Sequence, residues 1–277
     1  PTGPAETPGP PGPAESPGPT GPAETPGPTG DVEPAAGEPA EPAGGLAWRL
    51  APGWAALMPG FSHGTAGVAF ALAVASRALH RPDALAAARA GGRALIALGA
   101  HPTGWAVPNR IPPKGPVEEV SYGWCHGPTG TMRLFLALDE LDPSADWAGA
   151  VTAGLDAVRS SGLPARLYPG FWDNLGRCCG TAGVGVMALE RFAATGDRDW
   201  LDWADELAED VLTRAVSDER GTRWFNTEHT RDPPELPPES EFMQGAAGIA
   251  AWLLRLAPRH PPPDAPAPAG VLDRLPW

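Results

Sequence analysis

Four stretches of this chain share one pattern, in which two glycines three residues apart lead into a run of apolar residues. They are "GFSHGTAGVAFALAVASRAL" from Gly60, "GWCHGPTGTMRLFLAL" from Gly123, "GRCCGTAGVGVMALERFA" from Gly176 and "EFMQGAAGIAAWLLRLA" from Glu241. The second glycine of each pair falls at Gly67, Gly130, Gly183 and Gly248, so the pattern recurs after 63, 53 and 65 residues. Each run is apolar almost all round, as expected of a buried helix. Three of the runs are followed by a more polar segment of helical periodicity, over residues 82–99, 145–160 and 197–215. The last carries Trp200, Trp203, Leu207 and Val211 on one face and its charges on the other. Alternating buried and half-exposed helices at a near-constant period predict an all-α fold, an α/α toroid with inner helices along an axis and outer helices facing water. Strand signals are weak throughout. The glycine pairs are expected where each inner helix starts, allowing a tight turn and close backbone packing.

The pattern stops at both ends. The N-terminus repeats every nine residues ("PTGPAETPG", "PPGPAESPG", "PTGPAETPG"), and residues 1–45 contain no tryptophan, tyrosine, phenylalanine or leucine. Glu6, Glu15 and Glu24 interrupt a glycine at every third place, which excludes a collagen triple helix. A disordered, polyproline-like tail is expected there, a core over residues 46–257, and a second Pro-rich tail over 258–277, which opens "PRHPPPDAPAPAG". The sequence opens on Pro1 with neither the basic nor the apolar region of a signal peptide, consistent with a processed chain or part of a longer product.

Composition narrows the chemistry. A net charge of −13 argues against nucleic acid and against an anionic membrane surface as partners. No stretch is long and apolar enough to span a bilayer. Three cysteines are too few for a secreted disulfide framework, and vicinal Cys178 and Cys179 are poor partners for each other. A reducing, cytoplasmic setting is expected. With the motifs superposed, His63, His126, Cys179 and Gln244 all stand directly before the first glycine, and Cys125 and Cys178 stand one place earlier. In a toroid these positions converge on one mouth. A lone cysteine is commonly a small buried hydrophobe, and a lone histidine commonly caps or packs. Three cysteines at matched positions point instead to a soft-ligand site, with thiolates about 2.3 Å from a zinc ion and a fourth tetrahedral position open.

The motifs "GFSHGTAG", "GWCHGPTG", "CCGTAGVG" and "FMQGAAGIAAWL", over roughly residues 46–257, resemble the lanthionine synthetase C-like family, the cyclases of lanthipeptide biosynthesis and their relatives. The resemblance implies an α/α toroid with zinc at its mouth. The family's W-C-x-G ligand matches Cys125, and its C-H-G pair falls on Cys178 and Cys179, with cysteine replacing histidine as in the family's C-C-G members. It implies a zinc-dependent enzyme that adds a cysteine thiolate to dehydroalanine or dehydrobutyrine in a dehydrated peptide. His63, in the family's G-x-x-H-G motif, would be the acid, and His126 would orient substrate or stabilise the enolate. Ser121 stands where the family often has arginine, and the cyclases' upstream aspartate has no counterpart here. The family toroid has seven inner helices against four motifs, so the chain is expected to be a fragment or a shortened relative with an open or self-complemented ring. The alternatives are glutathione addition to dehydrated proteins and a non-catalytic zinc-containing toroid that binds a protein partner. A glycosidase-type barrel ranks last, because the motifs carry no pair of carboxylates. The motifs leave the oligomeric state open.

Overall fold

A computed structural model describes residues 45–51, 53–101, 104–112, 120–165, 174–227 and 232–259. Apart from a residue or two at their inner ends, the tails expected over 1–45 and 258–277 lie outside the described residues. Helices dominate: α1 (Thr65–Leu79), α2 (Pro82–Leu98), α3 (Pro128–Leu141), α4 (Ala145–Arg159), α5 (Thr181–Thr195), α6 (Arg198–Thr213) and α7 (Ala246–Leu256). The strands β1 (Ala100–His101) with β2 (Gly104–Trp105), and β3 (Val216–Asp218) with β4 (Gly221–Arg223), form two short antiparallel ribbons. Helix α1 packs on α2, α3 on α4 and α5 on α6, while α1, α3, α5 and α7 lie side by side in chain order. The result is an inner row of four helices backed by an outer row of three. The three polar helical segments read from the sequence match α2, α4 and α6 to within two residues.

The core fills the space between the rows. Phe135 and Leu138 of α3, Leu189 of α5, Leu207 and Val211 of α6 and Trp252 of α7 are all fully buried. Trp105 of β2 meets Phe135 edge-on at 5.2 Å and donates its indole N–H to the Leu95 carbonyl (3.2 Å). On α6, Trp203, Leu207 and Val211 are buried as their spacing predicts, and the Arg159 guanidinium lies over both Trp200 and Trp203. Helix α1 departs from the expected all-round burial. Its alanine face (Ala66, Ala69, Ala73) is sealed, but Val68, Val74 and Leu79 are exposed. An apolar run records which side chains tolerate burial; the number of neighbours is decided by the position in the row.

Two of the outer helices begin by different means from the inner ones, while the outer helix α2 starts behind Arg81 with no side-chain cap. On the outer helices α4 and α6, side-chain oxygens of Ser144 and Asp197 accept from Trp147 N–H (3.4 Å) and Asp199 N–H (3.1 Å). The inner helices α1, α3, α5 and α7 each start behind a glycine with extended backbone and no side-chain cap. The helix therefore starts between the two glycines of the pair, and the second lies within its first turn. Close approach is what requires glycine there. A Cβ on Gly67, Gly130, Gly183 or Gly248 would sit about 2 Å from the carbonyl oxygen of Phe61, Trp124, Arg177 or Phe242 respectively. Gly130→Ala is accordingly expected to cost about 1–3 kcal/mol or more, since backbone has to move. Gly149→Ala, on the exposed face of α4 with open space around it, should instead stabilise by about 0.5–1 kcal/mol. Denaturant unfolding of the two variants measures the contrast.

Candidate metal centre

One line of main-chain hydrogen bonds ties the motifs together. Ser62 N–H donates to the Cys125 carbonyl (3.0 Å), Cys125 N–H to that of Cys178 (3.1 Å), and Cys178 N–H to that of Met243 (2.8 Å). Each bond joins the same motif position in successive repeats. Glycine keeps the line tight: a Cβ on Gly60 would lie 2.7 Å from the Cys125 oxygen, and one on Gly176 would lie 2.8 Å from the Gln244 Cα. Cysteines that stand 53 and 54 residues apart in sequence are brought into one cluster by this belt.

The sulfur of Cys179 lies 3.1 Å from that of Cys125 and 3.5 Å from that of Cys178, and all three fall within 4.8 Å of one another. Cys125 is buried, while Cys178 and Cys179 are half-buried and free of disulfides. The Gln244 amide N–H donates to the Cys179 sulfur (3.5 Å). Gln244 is held in turn by Asn226, whose amide donates to the Gln244 carbonyl (3.0 Å) and accepts from Leu175 N–H (3.0 Å). Asn226 lies on a loop with no periodicity, and only its position in space reveals its role.

Packing the thiols together splits their acidities. Hydrogen bonds from Cys125 and then Cys178 hold the Cys179 thiol well down, to about 3. The Cys125 thiol is pushed far up by its bonds to Cys178 and Cys179 and by burial. Cys178 feels a lowering from Cys125, but its bond to Cys179 and burial outweigh this and push it up to about 12. With no cation bound, the thiolate is therefore favoured on Cys179 over its two neighbours. Three soft donors this close, braced by a belt and an amide, suit a thiophilic divalent ion such as zinc.

The histidines stand beside this cluster. Neither belongs to the group of ligand atoms within 4.8 Å. The His63 and His126 rings are 5.7 Å apart, with His63 exposed and the Nδ1 of His126 buried without a hydrogen-bond partner. Burial lowers the His126 pKa; the Cys179 charge pulls it up and His63 pushes it further down. His63 lies on the wall of a cleft of about 510 Å³, together with Trp48, Arg49, Phe61 and Trp124.

Residues 55–262 match the family model described as "Lanthionine synthetase C-like protein". Among solved structures the chain is similar to one titled "Nisin cyclase", with a TM-score of 0.51 and 16% identity, over 75% of this chain and 48% of that one. At such identity the likeness bears on the fold alone, an α/α toroid, and the paired rows of helices form part of one. The chain spans about half the length of that cyclase. No curated protein sequence matches it.

Proposed function

Because this chain belongs to the lanthionine synthetase C-like family, we propose that it forms thioethers by adding a cysteine thiolate to dehydroalanine or dehydrobutyrine in a dehydrated peptide. The observation that carries this reading is the gathering of Cys125, Cys178 and Cys179, all the cysteines of the chain, into one group on the main-chain belt. Those three residues would hold zinc. Bound there, the ion would supply the Lewis acidity that lets a substrate thiol exist as thiolate at neutral pH.

The chain's own residues handle the proton and the pose. As the substrate sulfur bonds to the β-carbon, the π pair of the alkene moves to the α-carbon and its carbonyl, giving an enolate. One proton must return to the α-carbon, and a His63 imidazolium N–H on the cleft wall is the donor. His126, ring to ring with His63, orients the acceptor peptide or places its N–H donor on the enolate oxygen. The half-buried Trp48 and Trp124 and the exposed Arg49 offer an extended peptide an aromatic and basic wall next to His63.

The test is direct. Zinc-loaded protein is incubated with a peptide that carries one dehydroalanine and one cysteine. Ring closure leaves the mass unchanged, so it is read as disappearance of an alkylatable thiol. Loss of thiol well above the uncatalysed rate is expected. Thiol that persists at the uncatalysed rate excludes the reading, while a mass gain of one glutathione in a parallel reaction assigns the intermolecular form of the same chemistry.

A further inference from the structure

Two residues before His63, His126, Cys179 and Gln244 stand Phe61, Trp124, Arg177 and Phe242, the same motif position in all four repeats. Three are aromatic. Phe61 and Trp124 meet edge-on at 5.2 Å, and the Arg177 guanidinium lies 4.7 Å over the Phe242 ring. Arg177 is only 7% exposed. A Cβ on Gly248 would come within 2.9 Å of the Arg177 Cδ, so glycine there leaves room for this long side chain.

Among the described residues, Arg177 shares one nearby carboxylate with two other guanidinium groups. Glu190 of α5 pairs with Arg133 of α3 (3.0 Å) and lies 3.8 Å from Arg255 of α7. Arg177 adds a third guanidinium; the Glu190 charge acts on it through space, but among the described residues it forms no ion pair and no hydrogen bond. A buried cation is normally kept only where an anion or several acceptors compensate it, and one aromatic face compensates in part. Arg177 and Arg133 share a cavity of about 160 Å³ whose other walls are Trp124, Gly183, Val186 and Met243.

We propose that this cavity is a carboxylate-binding site, with Arg177 and Arg133 as the donors. Guanidinium forks match a planar carboxylate, and Trp124, Val186 and Met243 would cover a short apolar stem behind it. The volume equals the share of roughly five waters at about 30 Å³ each, which is the size of a propionate. Such a group could be a free small acid or the side chain of an acidic residue. The inference goes beyond the thioether reading and stands without it.

Thermal melting of the whole chain tests the site, with propionate titrated against chloride at constant ionic strength. Propionate should raise the melting temperature in a saturable way, as a ligand selective for the native state does, and phosphate should not. In Arg177→Met the propionate response should vanish. In chloride alone that variant should melt no lower than the wild type, because an incompletely compensated charge has been replaced by an apolar chain of similar reach. A wild type indifferent to propionate, or one that responds to phosphate instead, overturns the proposal without any variant. So does an Arg177→Met protein that melts well below the wild type in chloride, since Arg177 would then already be neutralised within the chain. If the site is confirmed, a peptide with a single glutamate competing with propionate assigns the carboxylate to an acidic side chain. Failure to compete assigns it to a free acid.

Discussion

His63→Asn is expected to slow thioether formation by roughly two to four orders of magnitude, the usual contribution of a positioned general acid. Folding and metal content should be unchanged. The His63 side chain is exposed, lies outside the sulfur cluster and makes no hydrogen bond among the described residues, so its loss should move stability by no more than about 0.5 kcal/mol. Asparagine keeps a polar group of similar size but has no proton to give in this pH range. The rate and the melting curve are to be read on the same sample. A zinc-replete His63→Asn protein that turns over normally removes His63 from the chemistry. A loss of turnover that merely tracks a loss of stability assigns His63 a packing role.

Cys125→Ala combined with Cys178→Ala should leave the protein with no stoichiometric zinc, read by elemental analysis after dialysis. One thiol cannot hold the ion at the affinity that three provide. The fold should survive, because the belt from Ser62 to Met243 uses only main-chain atoms and alanine supplies the same N–H and carbonyl groups. The residual cost is the small cavity left by the buried Cys125 sulfur, about 1 kcal/mol or less. The remaining Cys179 thiol should also titrate higher, because the two hydrogen bonds that hold it down are gone. Alkylation rate against pH measures that shift. Zinc retained at one per chain in the double variant would place the metal elsewhere.

The glycine pairs, the apolar runs behind them and the polar helices between were legible in the sequence because each is a local pattern of 3.6-residue periodicity and punctuation. That is why α2, α4 and α6 fall within two residues of their expected bounds, and why Cys125, Cys178 and Cys179 could be placed at matched positions before any contact was known. Other features depend on which repeat lies beside which. The glycines proved to be contact points for carbonyl oxygens of the preceding turn, a distance no periodicity records. Asn226 braces Gln244 from a loop 18 residues away, and Glu190 meets Arg133 and Arg255 from three different helices. A repeat specifies its own helix and the chemistry at its start. The lowering of the Cys179 thiol by its two cysteine neighbours and the burial of Arg177 beside a cavity arise only when neighbouring repeats are docked, because Coulomb and desolvation energies depend on separations in space that the chain order leaves open.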